Sequence, residues 1–509
     1  MIWIQPLLLT LQLMLLCVVV AALIGIPLAF LISLLPQQRR GGRVIAGYCL
    51  LSMVACVATP MILHAAAWEA TAGKFGWLTF SQTAARTYTG LAGRYGGLVA
   101  CVWIHGLFGA SLVSLATWFG TARISNDVVD QSRLDGGPIR AWWWVRLPLA
   151  WPWVCTGLLA TAILAATEMT VVDLYGVRTL ADEFYLFHVT QPSLVSVMMV
   201  LVLPCALLIA LAAVGILHRR RPVDARRLRP IDPAVVPESP RGWGWFAAPP
   251  AVALSTLMFA FPFAGLLMKT GQTVIVSPQP DQGATVHWSL RHCVEVLAVA
   301  PREYADEYRW TLLLAVAVGL VCVPVAWTLA SLMRTRPQAG RWVDWISLVV
   351  FLIPGPIVGL VVVWLFSLPL PGFKLLYQQS LLPTILALMM RALPVSYWII
   401  RAAYWGLDRS LLDVARLDLS WGRRMWSIDR VLLIRPLLVA GLASAVMASG
   451  DVPVTLPVLP PGVVTVGTRL FALLHSGARN QEAALAFWYV LAIIFVSIVL
   501  WIGWKRSGR

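Results

Sequence analysis

Residues 7–35 read LLLTLQLMLLCVVVAALIGIPLAFLISLL, an apolar run without a charged residue. About 20 apolar residues are enough to cross the hydrocarbon core of a bilayer as an α-helix. The run is continuous and does not alternate apolar with polar residues, which favours a helix over a strand of a membrane β-barrel. No Lys or Arg precedes Arg39 and no small-residue cleavage site closes a short apolar core, so we predict a retained spanning helix.

Ten more apolar runs follow, and the chain of 509 residues is 59% hydrophobic and 12% charged. The eleven runs lie at 7–35, 44–68, 96–119, 149–172, 194–217, 245–268, 309–332, 343–367, 381–404, 433–450 and 484–503. The sequence therefore predicts an all-α polytopic membrane bundle of about eleven transmembrane helices. Pro27, Pro60 and Pro354 lie inside runs and are not expected to end them, because neighbouring segments satisfy the freed backbone groups.

Basic residues are sorted by loop. They concentrate after the first, third, fifth, seventh, ninth and eleventh runs, whereas the alternate loops hold scattered bases such as Lys74, Arg178 and Lys374. The positive-inside rule makes the base-rich side cytoplasmic. We predict a multi-pass protein of the inner (cytoplasmic) membrane, with its N-terminus outside and its C-terminus in the cytoplasm. This topology explains the formal net charge of +16 without a nucleic-acid partner.

An internal repeat divides the chain. Three elements recur: Thr10-Leu11 as Thr311-Leu312, Pro60 as Pro354, and Arg133-Leu134-Asp135 as Arg416-Leu417-Asp418. The Arg- and Pro-rich residues 218–243 lie between the copies and are predicted to be a cytoplasmic linker. The sequence thus predicts two tandem homologous halves, residues 1–217 with five helices and residues 244–509 with six.

Two loops on the base-rich side, residues 120–147 (the first loop) and 405–432 (the second loop), share one arrangement. Each has an acidic residue, then Arg-Leu-Asp, then an aromatic and basic stretch before an apolar helix. The two read Asp130-Gln131-Ser132-Arg133-Leu134-Asp135-Gly136 and Asp413-Val414-Ala415-Arg416-Leu417-Asp418-Leu419. A rigid helix pair rooted in a transmembrane helix transmits motion from a soluble partner to the bundle. Alternatively, basic and aromatic loops anchor helices at the headgroup layer.

These loops resemble the EAA motif of ABC importer permeases, in which two short helices joined by a glycine turn dock in a groove of the ATPase subunit. The resemblance implies a MetI-like transmembrane fold, and Gly136 would be the turn glycine, which Leu419 replaces in the second loop. It implies contact with the ATPase for a set of loop residues: Asp130, Ser132, Arg133, Asp135, Gly136, Asp413, Ala415, Arg416 and Asp418.

The resemblance continues past the loops. Glu168-Met169-Thr170 and Asp451-Val452-Pro453-Val454-Thr455-Leu456 are similar to segments of fused ferric-iron-type permeases. The partners implied are a separate ABC ATPase subunit, as a homodimer, and a periplasmic or lipid-anchored solute-binding protein. Ferric iron is the substrate expected first, with thiamine, a polyamine or an organophosphonate as alternatives.

Charged residues inside a membrane are costly, so they usually face a cavity or a partner. Glu168 and Asp451 occupy equivalent places in the two halves, and their oxygens would suit a cationic substrate. The residues predicted for the translocation pathway are Glu168, Asp173, Asp451, Pro453 and Thr455. The alternative is that each acid ends a helix and pairs with water or a base. Of two further intramembrane candidates, His105 and Arg391, the histidine is interpreted as a packing residue.

No enzyme, cofactor or metal site is predicted. The phosphate-binding pattern G-x-x-x-x-G-K-[ST] does not occur, since Gly73-Lys74 is followed by Phe75. His287, His292 and Cys293 lie in an outer loop with a spacing that fits no closed metal site, and the other seven cysteines lie in apolar runs. An ion-driven secondary transporter also uses repeats and intramembrane charges and remains the alternative class. A membrane-embedded transferase would need a catalytic constellation that the sequence does not show.

Overall fold

The structure is a computed structural model that describes residues 3–35, 40–73, 76–78, 96–189, 192–219, 245–276, 284–407, 414, 419–476 and 479–506. Within these ranges, eight helices are long and apolar enough to cross a membrane, and a bent pair of helices makes a ninth if it counts as one span. The prediction of a helical, multi-pass membrane protein is confirmed at this level. The predicted count of eleven spanning helices is not confirmed. Two further helices have described apolar parts, Leu194–Leu207 and Asn480–Val496, that are shorter than a membrane span.

The helices of the N-terminal part of the chain are α1 (Ile4–Leu34), α2 (Arg40–Ala58), α3 (Met61–Ala72), α4 (Gly96–Ala122), α5 (Asn126–Arg140), α6 (Leu147–Thr167), α7 (Thr170–Leu174), α8 (Leu180–Phe187) and α9 (Leu194–Arg219). Those of the C-terminal part are α10 (Ala248–Ser255), α11 (Phe261–Thr270), α12 (Leu290–Glu303), α13 (Ala305–Thr335), α14 (Pro337–Leu352), α15 (Gly355–Phe366), α16 (Phe373–Gln379), α17 (Leu382–Gly406), α18 (Trp421–Arg424), α19 (Arg430–Gly450), α20 (Val452–Thr455), α21 (Val466–Ser476) and α22 (Arg479–Arg506). Three π-helical turns, Ala141–Arg146, Thr256–Ala260 and Met425–Asp429, join neighbouring helices without a break.

Pro60 and Pro354 each separate two helices, so the prediction that their runs are continuous is wrong. Pro60 lies between α2 and α3, and the helices on the two sides of Pro354 meet at an angle of 100°. Both prolines have extended backbone, with ψ of 147° and 142°. Proline has no N–H to donate and disfavours helical conformation in the residue before it. Pro27, in contrast, lies inside the unbroken α1.

Matching contacts occur in the two parts of the chain. Helices α1, α4 and α6 pack against one another, and so do α13, α17 and α19. The Oγ1 of Thr10 accepts a hydrogen bond from the Leu180 N–H at 3.0 Å, and the Oγ1 of Thr311 accepts one from the Val466 N–H at 2.8 Å. Each bond satisfies an N–H that the first residue of a helix cannot pair within that helix. These contacts agree with the sequence repeat at the two threonines, although the division into homologous halves stays a prediction.

Helices of the two parts also pack against one another. The last helix, α22, packs against α2, α3 and α11, while α9 packs against α14. A buried ion pair between Lys269 and Glu482 joins α11 to α22. The long N-terminal and C-terminal helix groups therefore form one bundle with a shared core.

A short hairpin, which the sequence did not predict, follows α11. Strands β1 (Gln272–Val276) and β2 (Ala284–Trp288) are antiparallel, with Val274 opposite Val286. The amphipathic α12 follows, and Cys293 is buried in it, with its Sγ 3.1 Å from the Oγ1 of Thr270. The prediction that Cys293 lies in a loop is therefore wrong, because the polar residues around it belong to one face of an amphipathic helix.

Candidate functional site

A cavity of about 160 Å³, the central cavity, lies between the N-terminal and C-terminal parts. Its walls come from the helix break at Pro60, from Gly355 beside the second break, and from the ends of α6 and α19. Four pairs of lining residues stand at the same offset in the sequence: Leu164 and Met447, Thr167 and Gly450, Glu168 and Asp451, Thr170 and Pro453. Equivalent positions of the predicted repeat thus line one cavity.

Glu168 is the residue at which α6 ends, and its carboxylate caps α7. Its Oε1 accepts a hydrogen bond from the Thr170 N–H at 2.7 Å and another from the Thr170 hydroxyl, and its Oε2 accepts one from the Val171 N–H at 3.0 Å. The same Oε2 lies 3.3 Å from the Nε2 of His105 on α4. The other ring nitrogen of His105 lies 2.8 Å from the Cys101 carbonyl oxygen. The interpretation of His105 as a packing residue therefore misses its pairing with the acid.

Asp451 occupies the equivalent place after α19. Its Oδ1 accepts a hydrogen bond from the Val454 N–H at 3.4 Å and caps α20, while its Oδ2 lies 3.4 Å from the Arg391 Nε on α17. Arg391 also donates through Nη1 to the carbonyls of Phe351 and Ile353, at 2.9 and 2.8 Å. These carbonyls lie just before Pro354, where the break leaves helix carbonyls without an intrahelical partner. Arg391 therefore stabilises both the helix break and the acid.

The two acid–base pairs define the electrostatics of the cavity. Each carboxylate caps a short helix and faces one base, His105 in one case and Arg391 in the other. The backbone N–H donors stabilise each carboxylate inside a low-dielectric bundle, and the Arg391 guanidinium adds to this at Asp451, whereas the contact of His105 with Glu168 is attractive only when Nε2 carries a hydrogen. The cavity therefore offers acid–base pairs rather than two unoccupied carboxylates, which matches the alternative that each acid ends a helix and is paired.

The structure separates the five predicted pathway residues. Glu168, Asp451 and Pro453 line the central cavity. Thr455 is buried beneath it, and its hydroxyl donates to the Asp451 carbonyl at 3.0 Å. Asp173 points elsewhere, with its Oδ2 3.3 Å from the Nε2 of His475 on α21.

The Asp173 contact belongs to a charged cluster outside the spanning helices. Asp182 on α8 is buried and its Oδ2 lies 3.4 Å from the Arg178 Nη1. Burial and the nearby charge of Asp173 raise the pKa of Asp182 to about 7, against the opposing effect of Arg178. The hydrogen bond to Asp173 raises the pKa of His475 above its usual value, although burial acts in the opposite direction. This cluster joins α7 and α8 to α21, and no sequence pattern indicated it.

The first loop forms a helix that turns sharply into α6. Helix α5 carries Asp130 and Arg133, which form an i,i+3 ion pair at 3.6 Å, and Ser132, whose hydroxyl donates to the Val129 carbonyl at 2.7 Å. The turn is at Gly137, with φ 76° and ψ 174°, a region that only glycine adopts easily. The prediction of Gly136 as the turn glycine is thus wrong by one residue.

The surface of the first loop combines charge with exposed apolar side chains. Asp130 is 63% exposed, and Asp135 also lies on this exposed helix. Leu134, between the motif's arginine and aspartate, is 88% exposed, and Trp144 beyond the turn is 78% exposed. Exposed large apolar residues beside charges are typical of a protein-binding or membrane-interface surface.

The structure describes only part of the second loop. Asp413, Ala415, Arg416 and Asp418 lie outside the described residues, as do residues 220–244, which hold most of the predicted linker. The described segment resumes with α18, where Trp421 and Arg424 each donate to the Ser331 hydroxyl at 3.2 Å. From α18 a continuous helical path leads through a π-helical turn into α19.

No protein-family model matches the chain, and no curated protein matches it significantly.

Proposed function

We propose that the chain is the membrane-spanning permease subunit of a binding-protein-dependent ABC importer of the MetI-like fold. One observation carries the proposal. The helical path Asp127–Thr167 leads from the first loop to Glu168 at the central cavity, and the path Trp421–Gly450 leads from the second loop to Asp451. A displacement applied to either loop would reach a cavity-lining acid through a helix. This is the connection that an importer driven by a separate ATPase needs.

In this proposal the chain crosses the membrane with eleven helices in two homologous halves. Its N-terminus lies outside and its C-terminus lies in the cytoplasm. The matching bonds of Thr10 and Thr311 and the paired cavity positions support the halves. Residues 1–217 and 244–509 are the halves, joined by the linker 218–243. A reporter fused to the C-terminus should be cytoplasmic, and an N-terminal tag should be reachable from outside. Both ends on one face would contradict the arrangement.

Ferric iron is the proposed substrate, and thiamine, a polyamine or an organophosphonate is the alternative within the same class. Both cavity acids already face a base. A pathway with paired acids would bind a cation weakly and release it readily, which leaves selection of the substrate to the solute-binding protein. The chain itself would then need no tight metal site.

The proposal is tested by purifying the tagged chain from its native membrane. We expect an ABC ATPase subunit to co-purify, and the complex to hydrolyse ATP in proteoliposomes. The chain stripped of that subunit should hydrolyse none. Radiolabelled ferric citrate, presented with the co-purifying binding protein, tests the substrate. ATP-independent uptake driven by an ion gradient would contradict the proposal.

That last outcome would support an ion-driven secondary transporter. The observation that favours this alternative is the contact of His105 with the cavity residue Glu168, because secondary transporters place ionisable residues at intramembrane sites. The ATP requirement of uptake separates the two classes directly. The first loop, with its projecting helix and glycine turn, favours the ATPase-driven importer.

A further inference from the structure

A buried set of polar side chains joins the end of the second loop to two spanning helices. The Tyr404 hydroxyl on α17 donates to the Oδ2 of Asp429 at 2.8 Å, and the Trp327 Nε1 on α13 donates to the Tyr404 hydroxyl at 3.0 Å. Asp429 ends the π-helical turn before α19 and is 0% exposed. Asp429 thus connects the root of α19 directly to α17 and, through the Tyr404 hydroxyl, to α13.

Arg424 adds a second connection to α13. Its Nη2 donates to the Ser331 hydroxyl at 3.2 Å, and its Nε lies 3.6 Å from the Oδ2 of Asp429. Arg424 is 2% exposed, and Ser331 is 0% exposed. We call Trp327, Ser331, Tyr404, Arg424 and Asp429 the anchor network.

The anchor network is not explained by stability alone. Burying an ion pair costs desolvation that the attraction between its charges often fails to offset. Within the part of the chain that the structure describes, the Arg424 Nε and the Asp429 Oδ1 also have no hydrogen-bond partner. Apolar side chains would fill the same space at lower cost. Apolar side chains would not fix the orientation of the segment as narrowly, because hydrogen bonds are directional and apolar packing is not.

The equivalent place below the first loop is built differently. Arg146 precedes Glu168 by the same number of residues as Asp429 precedes Asp451, and Trp142 stands correspondingly to Met425. Trp142 is 1% exposed and packs against Phe30 of α1, with ring centroids 4.9 Å apart. Below the first loop an aromatic contact thus lies beside the buried Arg146, whereas below the second loop a carboxylate accepts a directed hydrogen bond from a neighbouring helix.

We propose that Tyr404, Arg424 and Asp429 are positioning residues that make the root of the second loop move as one body with α13 and α17. The role of this coupling in ATP-driven transport rests on the proposed function. The anchoring itself depends only on contacts within the chain. It predicts that removing the Tyr404 hydroxyl loosens the root of the second loop, whereas removing another buried hydroxyl from α17 does not.

The chain provides a matched pair of variants. Tyr397, also on α17, is 1% exposed and donates its hydroxyl to the Oδ1 of Asp344 at 2.8 Å. Tyr404→Phe and Tyr397→Phe each delete one buried hydroxyl that is donated to a carboxylate, and each keeps the ring. Of the two hydroxyls, only that of Tyr404 is bonded to a residue of the second loop, Asp429.

The test measures hydrogen exchange of the backbone amides of residues 421–429 in the purified full chain. We expect Tyr404→Phe to speed exchange at least fivefold there and Tyr397→Phe to leave it at the wild-type rate. Unchanged exchange in Tyr404→Phe, or equal acceleration in both variants, would overturn the anchoring. This result does not depend on any ATPase.

The second measurement tests whether the anchor network couples ATP hydrolysis to the spanning helices. In the complex with the co-purified ATPase, at a temperature where both variants are folded, we expect Tyr404→Phe to lower ATP hydrolysis at least threefold, while Tyr397→Phe retains wild-type activity. Equal activity of both variants would overturn the coupling role. If no ATPase co-purifies with the wild-type chain, the proposed function fails, whereas the exchange experiment still decides the anchoring.

Discussion

The Nε2 of His475 lies 3.3 Å from the Oδ2 of Asp173, which places a histidine of the C-terminal part against a carboxylate of the N-terminal part. The Nδ1 of His475 lies 2.9 Å from the Phe471 carbonyl oxygen. A carbonyl only accepts hydrogen bonds, so Nδ1 carries a hydrogen, and a second hydrogen on Nε2 is needed for an attractive contact with the carboxylate. The contact is therefore favourable when the imidazole is protonated.

This contact predicts that the interface between α7, α8 and α21 weakens as the pH rises. The raised pKa of His475 means that its stabilising effect is complete below the ordinary value of 6.5 and is lost as the pH rises through the higher folded-state value. The raised pKa of Asp182 acts in the same sense, with stabilisation lost between the ordinary 3.8 and about 7. The charged neighbours are Asp173, Arg178 and Glu183.

The measurement is the thermal midpoint of the purified protein at about pH 6 and about pH 8. We expect the wild type to lose more stability between these values than His475→Gln, which cannot gain the second hydrogen. His287→Gln, at an exposed position of β2, should behave as the wild type does. An identical pH dependence in wild type and His475→Gln would contradict the protonated contact.

A glycine pair in the first loop provides a sharp test of the turn. Gly137 has φ 76° and ψ 174°, whereas its neighbour Gly136 lies in the helix before the turn. Gly137→Ala should cost about 1–3 kcal/mol of local strain, because this region of backbone conformation belongs almost only to glycine. We expect the variant to insert normally but to co-purify less ATPase. Gly136→Ala, whose Cβ would meet only the Arg140 side chain at 3.1 Å, should retain the complex. The reverse order of effects would restore Gly136 as the turn residue.

The spanning helices α1, α4 and α13 were predictable because an apolar run alone decides them in a bilayer. The breaks at Pro60 and Pro354 were not, since Pro27 lies in an intact helix. The surroundings of the two prolines differ: beside Pro354, Arg391 donates hydrogen bonds to the carbonyls that the break leaves without an intrahelical partner. Such a partner is distant in the sequence, so no local pattern reveals it.

The candidate site was predictable in the same partial way. Glu168 and Asp451 stood out because buried charge is costly, and both line the cavity. Their partners depend on which helices pack together, as α4 does with α6 and α17 with α19. The contact of Asp173 with His475 needs two short helices to meet across the bundle, and neither helix has a strong apolar signal.

The matching threonines predict matching energetics. Thr10→Val and Thr311→Val each remove the acceptor of a buried N–H, at Leu180 and Val466, respectively. Each change should cost about 1–3 kcal/mol of unfolding free energy, since a buried donor left without a partner loses its hydration as well as its bond. Thr156→Val, at an exposed hydroxyl of α6, should cost less than about 0.5 kcal/mol. Thermal midpoints in one detergent provide the comparison, and a strongly unequal pair would argue against equivalent roles.

Gly450 of the C-terminal part packs directly against Pro60 of the N-terminal part at the central cavity. A Cβ on Gly450 would overlap the proline ring, so Gly450→Ala should push the end of α19 away from the helix break and cost about 1–3 kcal/mol through overpacking. Opening this contact should admit water to the cavity.

We expect a cysteine introduced at the lining residue Thr167 to react at least three times faster with a water-soluble thiol reagent in the Gly450→Ala background, as read by mass spectrometry of its peptide. Gly441→Ala, on the same helix but facing only the Val323 methyl at 3.2 Å, is the matched control and should leave the rate unchanged. Equal labelling in both backgrounds would mean that the Gly450–Pro60 contact does not close the cavity.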